Sequence, residues 1–169
     1  KARPWGSKID SKGTEGDVMT DKTMPITGGC MCGAIRYEAT EPPHEVEYCH
    51  CRMCQRWTGN LFMSSAMFRN AAFRFTQGEP KFYQSSAMLE RGFCANCGTQ
   101  VCDRYLKGVD GMFATIGSLD HPEDWPPTLH AGIESQIPWL TIDDDLPRIR
   151  TEDDPDFVAV KAAVDQDGK

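Results

Sequence analysis

A chain of 169 residues, 40% hydrophobic and 25% charged, is long enough for one domain with an ordinary core and too short for two comfortable ones. Its 25 acidic and 18 basic residues give a net charge of −7 with no stripe of Lys and Arg, which argues against nucleic acid as a partner, and no apolar run is long enough to cross a bilayer. Eight cysteines crowd into tight groups behind a polar N-terminal stretch that lacks a secretory pattern. They read as metal ligands in a reducing, cytoplasmic setting rather than as disulfides.

Residues 1 to 23, rich in Gly, Ser, Lys and Asp with almost nothing to bury, read as a flexible leader. From Ile26 the texture changes. "AIRYEAT", "EVEYC", "FMSSAMF", "AFRFT", "KFYQSS", "GFC", "QVCDRY", "MFATIGSL" and "TLHAGIES" are short alternating or aromatic runs, separated by turn residues as in "TQGEP" and "KGVDG". This pattern predicts an all-β domain over residues 24–150. Cys51 to Trp57 offers a turn or two of helix. "DPDFVAVKAAV" places Phe157, Val160 and Val164 at i, i+3 and i+7 behind an acidic, Pro-containing start. That second helix lies in an acidic tail, 151–169, in which "TEDDPD" reads as a solvated stretch.

Seven cysteines fall into three groups: Cys30-x-Cys32, Cys49-x-Cys51-x2-Cys54 and Cys94-x2-Cys97. In a strand, residues i and i+2 share a face, so Cys30 and Cys32 can offer two sulfurs to one ion. "FCANCG" reads as a zinc knuckle, with Gly98 free to take the left-handed conformation that folds the turn back. Together these four thiols complete a tetrahedral structural site. The middle group supplies three sulfurs that converge locally, Cys54 following Cys51 at helical spacing, and it lacks a fourth. Three ligands and an open position are the pattern of a catalytic zinc. Three thiolates leave such a centre electron-rich, poor at making hydroxide and suited to an exogenous thiol. Cys102 reads first as a small buried apolar residue, with closure of the second site as the competing reading. His50, between two strand ligands, points to the opposite face and packs; His44 and His121 read as surface residues, and His130 as structural or as reaching a pocket.

"GGCMCGAIRYEA", "CHCRMCQRWTG", "RGFCANCGTQV", "IGSLD" and "HAGIESQIPWL" resemble, in order and spacing, the glutathione-dependent formaldehyde-activating enzyme family, which includes the centromere protein V type of domain. The likeness runs from about Ile26 to Pro147. It implies a β-tent of stacked antiparallel sheets with zinc-knuckle hairpins and few short helices. It implies two zinc ions, one structural on Cys30, Cys32, Cys94 and Cys97, the other on Cys49, Cys51 and Cys54. The implied activity is carbon–sulfur lyase chemistry, joining glutathione to formaldehyde as S-hydroxymethylglutathione or the reverse.

A glutathione-like ligand carries two carboxylates, so Arg52, Arg56 and Arg91 are candidates to meet it, each read first as a solvent-exposed arginine. Gln55 and Trp57 read as core or rim, and Met63, Met67 and Phe68 as core. A non-catalytic zinc-stabilised binding module is the alternative. A zinc hydrolase is weakened by the thiolate ligands and by the lack of an evident Glu or His base. The expected partner is a small thiol; self-association into a homo-oligomer stays open.

Overall fold

Where the sequence alternates apolar and polar side chains, strands form. A computed structural model describes residues 24–167, so the expected leader at 1–23 lies outside the described residues. In chain order the elements are β1 (Ile26–Gly29), β2 (Arg36–Ala39), β3 (Glu45–Cys49), α1 (Arg52–Thr58), β4 (Met63–Phe68), β5 (Phe73–Gln77), β6 (Lys81–Gln84), β7 (Leu89–Phe93), β8 (Gln100–Tyr105), β9 (Met112–Thr115), β10 (Leu129–Ala131), β11 (Arg148–Ile149) and α2 (Pro155–Asp167). The all-β expectation holds, with two helices beside the strands.

The strands make two sheets, a small one in the order β1-β2-β5 and a large one in the order β11-β10-β3-β4-β9-β8-β7-β6. Pairing is antiparallel except at β10, which runs parallel to both β3 and β11. Nor were β1 and β11 expected. "ITGG" is half glycine and β11 is two residues long, so neither carries an alternating signal.

The core lies where inward residues of both sheets meet. Ile26, Tyr37, Ala39 and Phe73 come from the small sheet, and Val46, Ala66, Phe68, Val101 and Ala114 from the large one. Each large apolar side chain buried here contributes about 1.5–3 kcal/mol. Tyr37 stacks on Phe73 at 4.9 Å between centroids, and its hydroxyl lies 2.7 Å from Ser118 Oγ. Gly28 permits that arrangement: a Cβ there would come 2.3 Å from Tyr37 Oη and 2.5 Å from the Ser118 carbonyl.

Two features position the site. The β1–β2 and β7–β8 connections are tight turns with Gly33 and Gly98 at φ of 75° and 76°, a conformation cheap only for glycine. The second feature is α2, which buries Val160 completely against the β8–β9 turn. Gly108 makes that seat, because a Cβ on it would stand 2.9 Å from Val160 Cα. Residues preceding Val160 on α2 are thereby held over one end of the large sheet.

Candidate metal centre and cavity

The β1–β2 turn carries Cys30 and Cys32, and the β7–β8 turn carries Cys94 and Cys97. The two turns are built alike: Gly33 N–H donates to the Cys30 carbonyl at 3.0 Å, and Gly98 N–H to the Cys94 carbonyl at 2.9 Å. Met31 N–H donates to Thr99 Oγ1 at 3.1 Å and ties one turn to the other. All four Sγ atoms lie within 4.8 Å of one another, with Cys30–Cys32 at 3.6 Å and Cys32–Cys94 at 3.8 Å. The Thr99 hydroxyl, 3.1 Å away, helps pull the Cys97 thiol down to about 6. Four soft sulfurs converging from two distant hairpins, none in a disulfide, fit a tetrahedral metal ion.

The second cluster forms where β3 ends and α1 begins. Cys51 is the N-cap of α1, its Sγ accepting from Cys54 N–H at 3.4 Å, so capping and convergence are one geometry. Cys49, Cys51 and Cys54 have their Sγ atoms within 4.8 Å of one another. Among the described residues no fourth His, Cys, Asp or Glu ligand atom joins them. Sharing of protons among the three holds Cys51 below the ordinary thiol range, through its contacts with Cys49 and Cys54, while the same contacts push Cys49 up. Sulfurs crowded this way carry more negative charge only with a cation among them, and the donor set fits zinc. Gly132, at φ 65°, lets the end of β10 pass against this turn; a Cβ there would sit 2.9 Å from Cys51 N.

Arg91 corrects the expectation of an exposed arginine. It is 2% exposed, on β7, with Nη1 3.3 Å from Asp103 Oδ2 and Nη2 3.5 Å from Cys54 Sγ. Ser85 Oγ accepts from its Nε at 3.2 Å, and the guanidinium lies 5.8 Å from the Trp57 ring centroid. Asp103 is 4% exposed, and burial pushes its carboxyl up to about 7 against the pull of Arg91. Breaking such a pair leaves one buried charge alone, so Arg91→Leu is expected to cost about 3–5 kcal/mol, and Arg91→Leu/Asp103→Leu less than that. Urea denaturation of the two variants checks the ordering.

The cluster opens on a cavity of about 130 Å³. Its wall includes Glu45, Glu47, Asp103 and Tyr105 from the large sheet, with Asp154, Asp156 and Phe157 from the α2 segment. None of Glu45, Glu47 or Asp103 was singled out from sequence, although alternation in "EVEYC" puts Glu45, Glu47 and Cys49 on the face opposite Val46. Arg52 and Arg56 are exposed, as expected, and lie outside the cavity wall. Met67 and Phe68 are core; Met63 is buried and also reaches the cavity.

His50 and His130 stay out of both clusters. Fully buried, His50 Nε2 lies 2.8 Å from His130 Nδ1, and His130 Nε2 lies 3.1 Å from the Asp144 carboxylate. That chain makes Nε2 the protonated nitrogen of each ring, and burial lowers His50 to about 4, so it stays neutral. Gln55 Nε2 donates to the His50 carbonyl at 2.6 Å and to the Ser135 carbonyl at 2.9 Å, fastening α1 beside β10. Cys102 is fully buried in the core, away from both clusters; a Cβ on Gly92 would come 2.8 Å from its sulfur. His121 is exposed and His44 half-buried.

An all-β protein with two convergent thiol clusters, one of four sulfurs and one of three beside a cavity, has the donor chemistry of a metalloprotein. The sequence model of the glutathione-dependent formaldehyde-activating enzyme family matches residues 25–135, and the chain belongs to that family. It is 33% identical over 86 residues to an uncharacterized lyase of Schizosaccharomyces pombe, a match covering 51% of this chain and 62%, less than two thirds, of that protein. It is 25% identical over 130 residues to a Halomonas elongata protein provisionally named a glutathione-dependent formaldehyde-activating enzyme, covering 71% of this chain and 82% of that one. A crystal structure of a Rhodobacter sphaeroides protein, 18% identical, aligns over 72% of this chain and 98% of that chain with a TM-score of 0.47. Among the described residues no helix is long and apolar enough to cross a membrane.

Proposed function

We propose that this chain is a zinc-dependent carbon–sulfur lyase acting on thiol–aldehyde adducts, the family's own pair being glutathione and formaldehyde. The reading is supported by family membership and by names of relatives that speak of a lyase and of formaldehyde activation. The observation that carries it is the three-sulfur cluster facing a cavity without a fourth protein ligand among the described residues. Residues 24–150 form the catalytic domain in this reading. Cys30, Cys32, Cys94 and Cys97 hold a structural zinc; Cys49, Cys51 and Cys54 hold a second. When bound there, that second ion supplies a soft acceptor that favours the deprotonated form of a substrate sulfur.

The chain's own side chains do the rest. Arg91 donates to Cys54 Sγ, which favours its thiolate, and Asp103 together with Ser85 fixes the guanidinium for that task. Met63, Leu89, Phe113 and Phe157 supply the apolar part of the cavity wall, and a low-dielectric wall strengthens charge interactions beside it. In the synthetic direction the thiol sulfur forms a bond to the aldehyde carbon, the carbonyl π pair moves to oxygen, and the thiol proton ends on that oxygen. Lysis runs the same steps backwards, releasing thiol and aldehyde.

Exchange NMR on an equilibrium mixture of thiol, formaldehyde and hydroxymethyl-thiol measures both directions at once. Exchange well above the uncatalysed rate is expected from metal-loaded protein. Exchange at the background rate, from folded protein holding two metals, would leave a zinc-stapled binding module instead.

A further inference from the structure

An aldehyde oxygen only accepts hydrogen bonds, and the negative charge it gains as sulfur adds to the carbon calls for a donor. Few polar side chains on the cavity wall have one to spare. Arg91 is engaged by Asp103, Ser85 and Cys54. The Thr151 hydroxyl donates to Glu134 Oε1 at 2.5 Å, and Ser86 Oγ is occupied in the β6–β7 turn by Met88 and Leu89 N–H, each at 3.1 Å. Tyr105 differs. It lines the cavity, and its hydroxyl makes no hydrogen bond among the described residues. A tyrosine hydroxyl with its ring packed away from water normally finds a partner, so this one has a place for a ligand oxygen.

The strand explains where the hydroxyl stands. Asp103 and Tyr105, at i and i+2 on β8, share the cavity face, while Cys102 between them is fully buried in the core. The Tyr105 ring sits edge-on against Phe113 of β9, with centroids 5.6 Å apart at 90°, and its backbone pairs with Leu89 across the β7–β8 ladder. A ring held this way fixes its hydroxyl, since few torsions remain free. Burial raises the Tyr105 pKa above the ordinary tyrosine range, and Asp154, Glu47, Cys49 and Asp103 raise it further. The proton therefore stays on the hydroxyl at neutral pH. One of the charges it feels is Cys49 itself, so the hydroxyl stands near the three-sulfur cluster.

We propose that Tyr105 is a catalytic residue of this chain, its Oη–H donating to the aldehyde oxygen while the substrate sulfur is held at Cys49, Cys51 and Cys54. This rests on the lyase reading above and adds the group that meets the oxygen. As the S–C bond forms, the carbonyl π pair moves to oxygen and the hydrogen bond from Tyr105 strengthens with the charge. Tyr105 keeps its proton throughout; the proton lost by the thiol reaches the oxygen through water. An interaction stronger in the transition state than in the ground state lowers the barrier without tightening thiol binding.

Tyr105→Phe removes the hydroxyl and keeps the ring on Phe113. Zinc-loaded wild type and variant are compared by exchange NMR on glutathione, formaldehyde and their hydroxymethyl adduct, and by calorimetric binding of glutathione without aldehyde. Exchange is expected to fall at least about tenfold in the variant, with glutathione affinity, metal content and Tm unchanged. Exchange within about twofold of wild type overturns the proposal and leaves the lyase reading standing. So does a fall matched by an equal loss of glutathione affinity, of metal or of a cooperative melt, since the hydroxyl would then serve binding or structure. Wild-type exchange at the background rate removes the lyase reading and this proposal with it.

Discussion

Cys94→Ser is expected to leave no cooperatively folded protein at 37 °C. Cys94 is 1% exposed, part of the core cluster, and its sulfur stands 3.8 Å from that of Cys32 on the other hairpin. The four sulfurs it completes join the small sheet, through the β1–β2 turn, to the large one, through the β7–β8 turn. With zinc bound there as proposed, the ion's binding energy is folding energy, about 10–16 kcal/mol for structural sites at neutral pH. A domain of this size has a net stability of about 5–15 kcal/mol. Loss of even part of the first quantity therefore exhausts the second. Circular dichroism melts of the variant, and of wild-type protein stripped with a chelator, should both lack a cooperative transition. A variant melting within a few degrees of wild type would show that the apolar core, and not the sulfurs, holds the two sheets together.

How much of this was legible beforehand depended on whether a signal was local. The runs "EVEYC" and "QVCDRY" became β3 and β8 residue for residue, because alternation needs only a strand and its two faces. Spacing alone grouped the seven thiols, since a C-x-C, a C-x2-C and a helical step each converge within a few residues. Arg91 was a candidate, but its burial and its pairing with Asp103 were not legible. Each alone reads as an exposed strand charge, yet β7–β8 register sets Arg91 directly opposite Asp103, and register is a property of two strands. The parallel pairing of β10 with β3 was hidden for the same reason, the partners Ala131 and Cys49 being far apart in sequence. The acidic "TEDDPD" read as a solvated stretch, yet Asp154 and Asp156 face the cavity because Val160, further along α2, is pinned over Gly108. Glu45 and Glu47 are different: their alternation with Val46 already placed them on the face of Cys49, and that signal was present in five residues.

Cys54→Ser should separate the two clusters. Its effect on the fold is expected to be small, because Cys54 bridges nothing distant: it lies on α1, three residues from Cys51, and its long-range polar contact is Arg91 Nη2 at 3.5 Å. A serine hydroxyl can still accept from that guanidinium, which also keeps Asp103 and Ser85, so no buried charge is stranded. Because Cys49, Cys51 and Cys54 lie within six residues, the unfolded chain keeps much of its affinity for the ion and losing it adds little; a cost of about 1–2 kcal/mol then follows from one weakened hydrogen bond, or roughly 2–8 °C in Tm for a chain of this length. The effect on chemistry should be far larger. Two thiolates and a hydroxyl make a poor zinc site, so metal content should fall from two ions per chain to about one, with exchange of the thiol–aldehyde adduct lowered by about a hundredfold or more. Metal analysis, a thermal melt and the exchange measurement on one preparation give all three numbers. An unfolded Cys54→Ser protein would make the second cluster a structural staple like the first; a folded one that keeps both metals and full exchange would place the reaction elsewhere in the molecule.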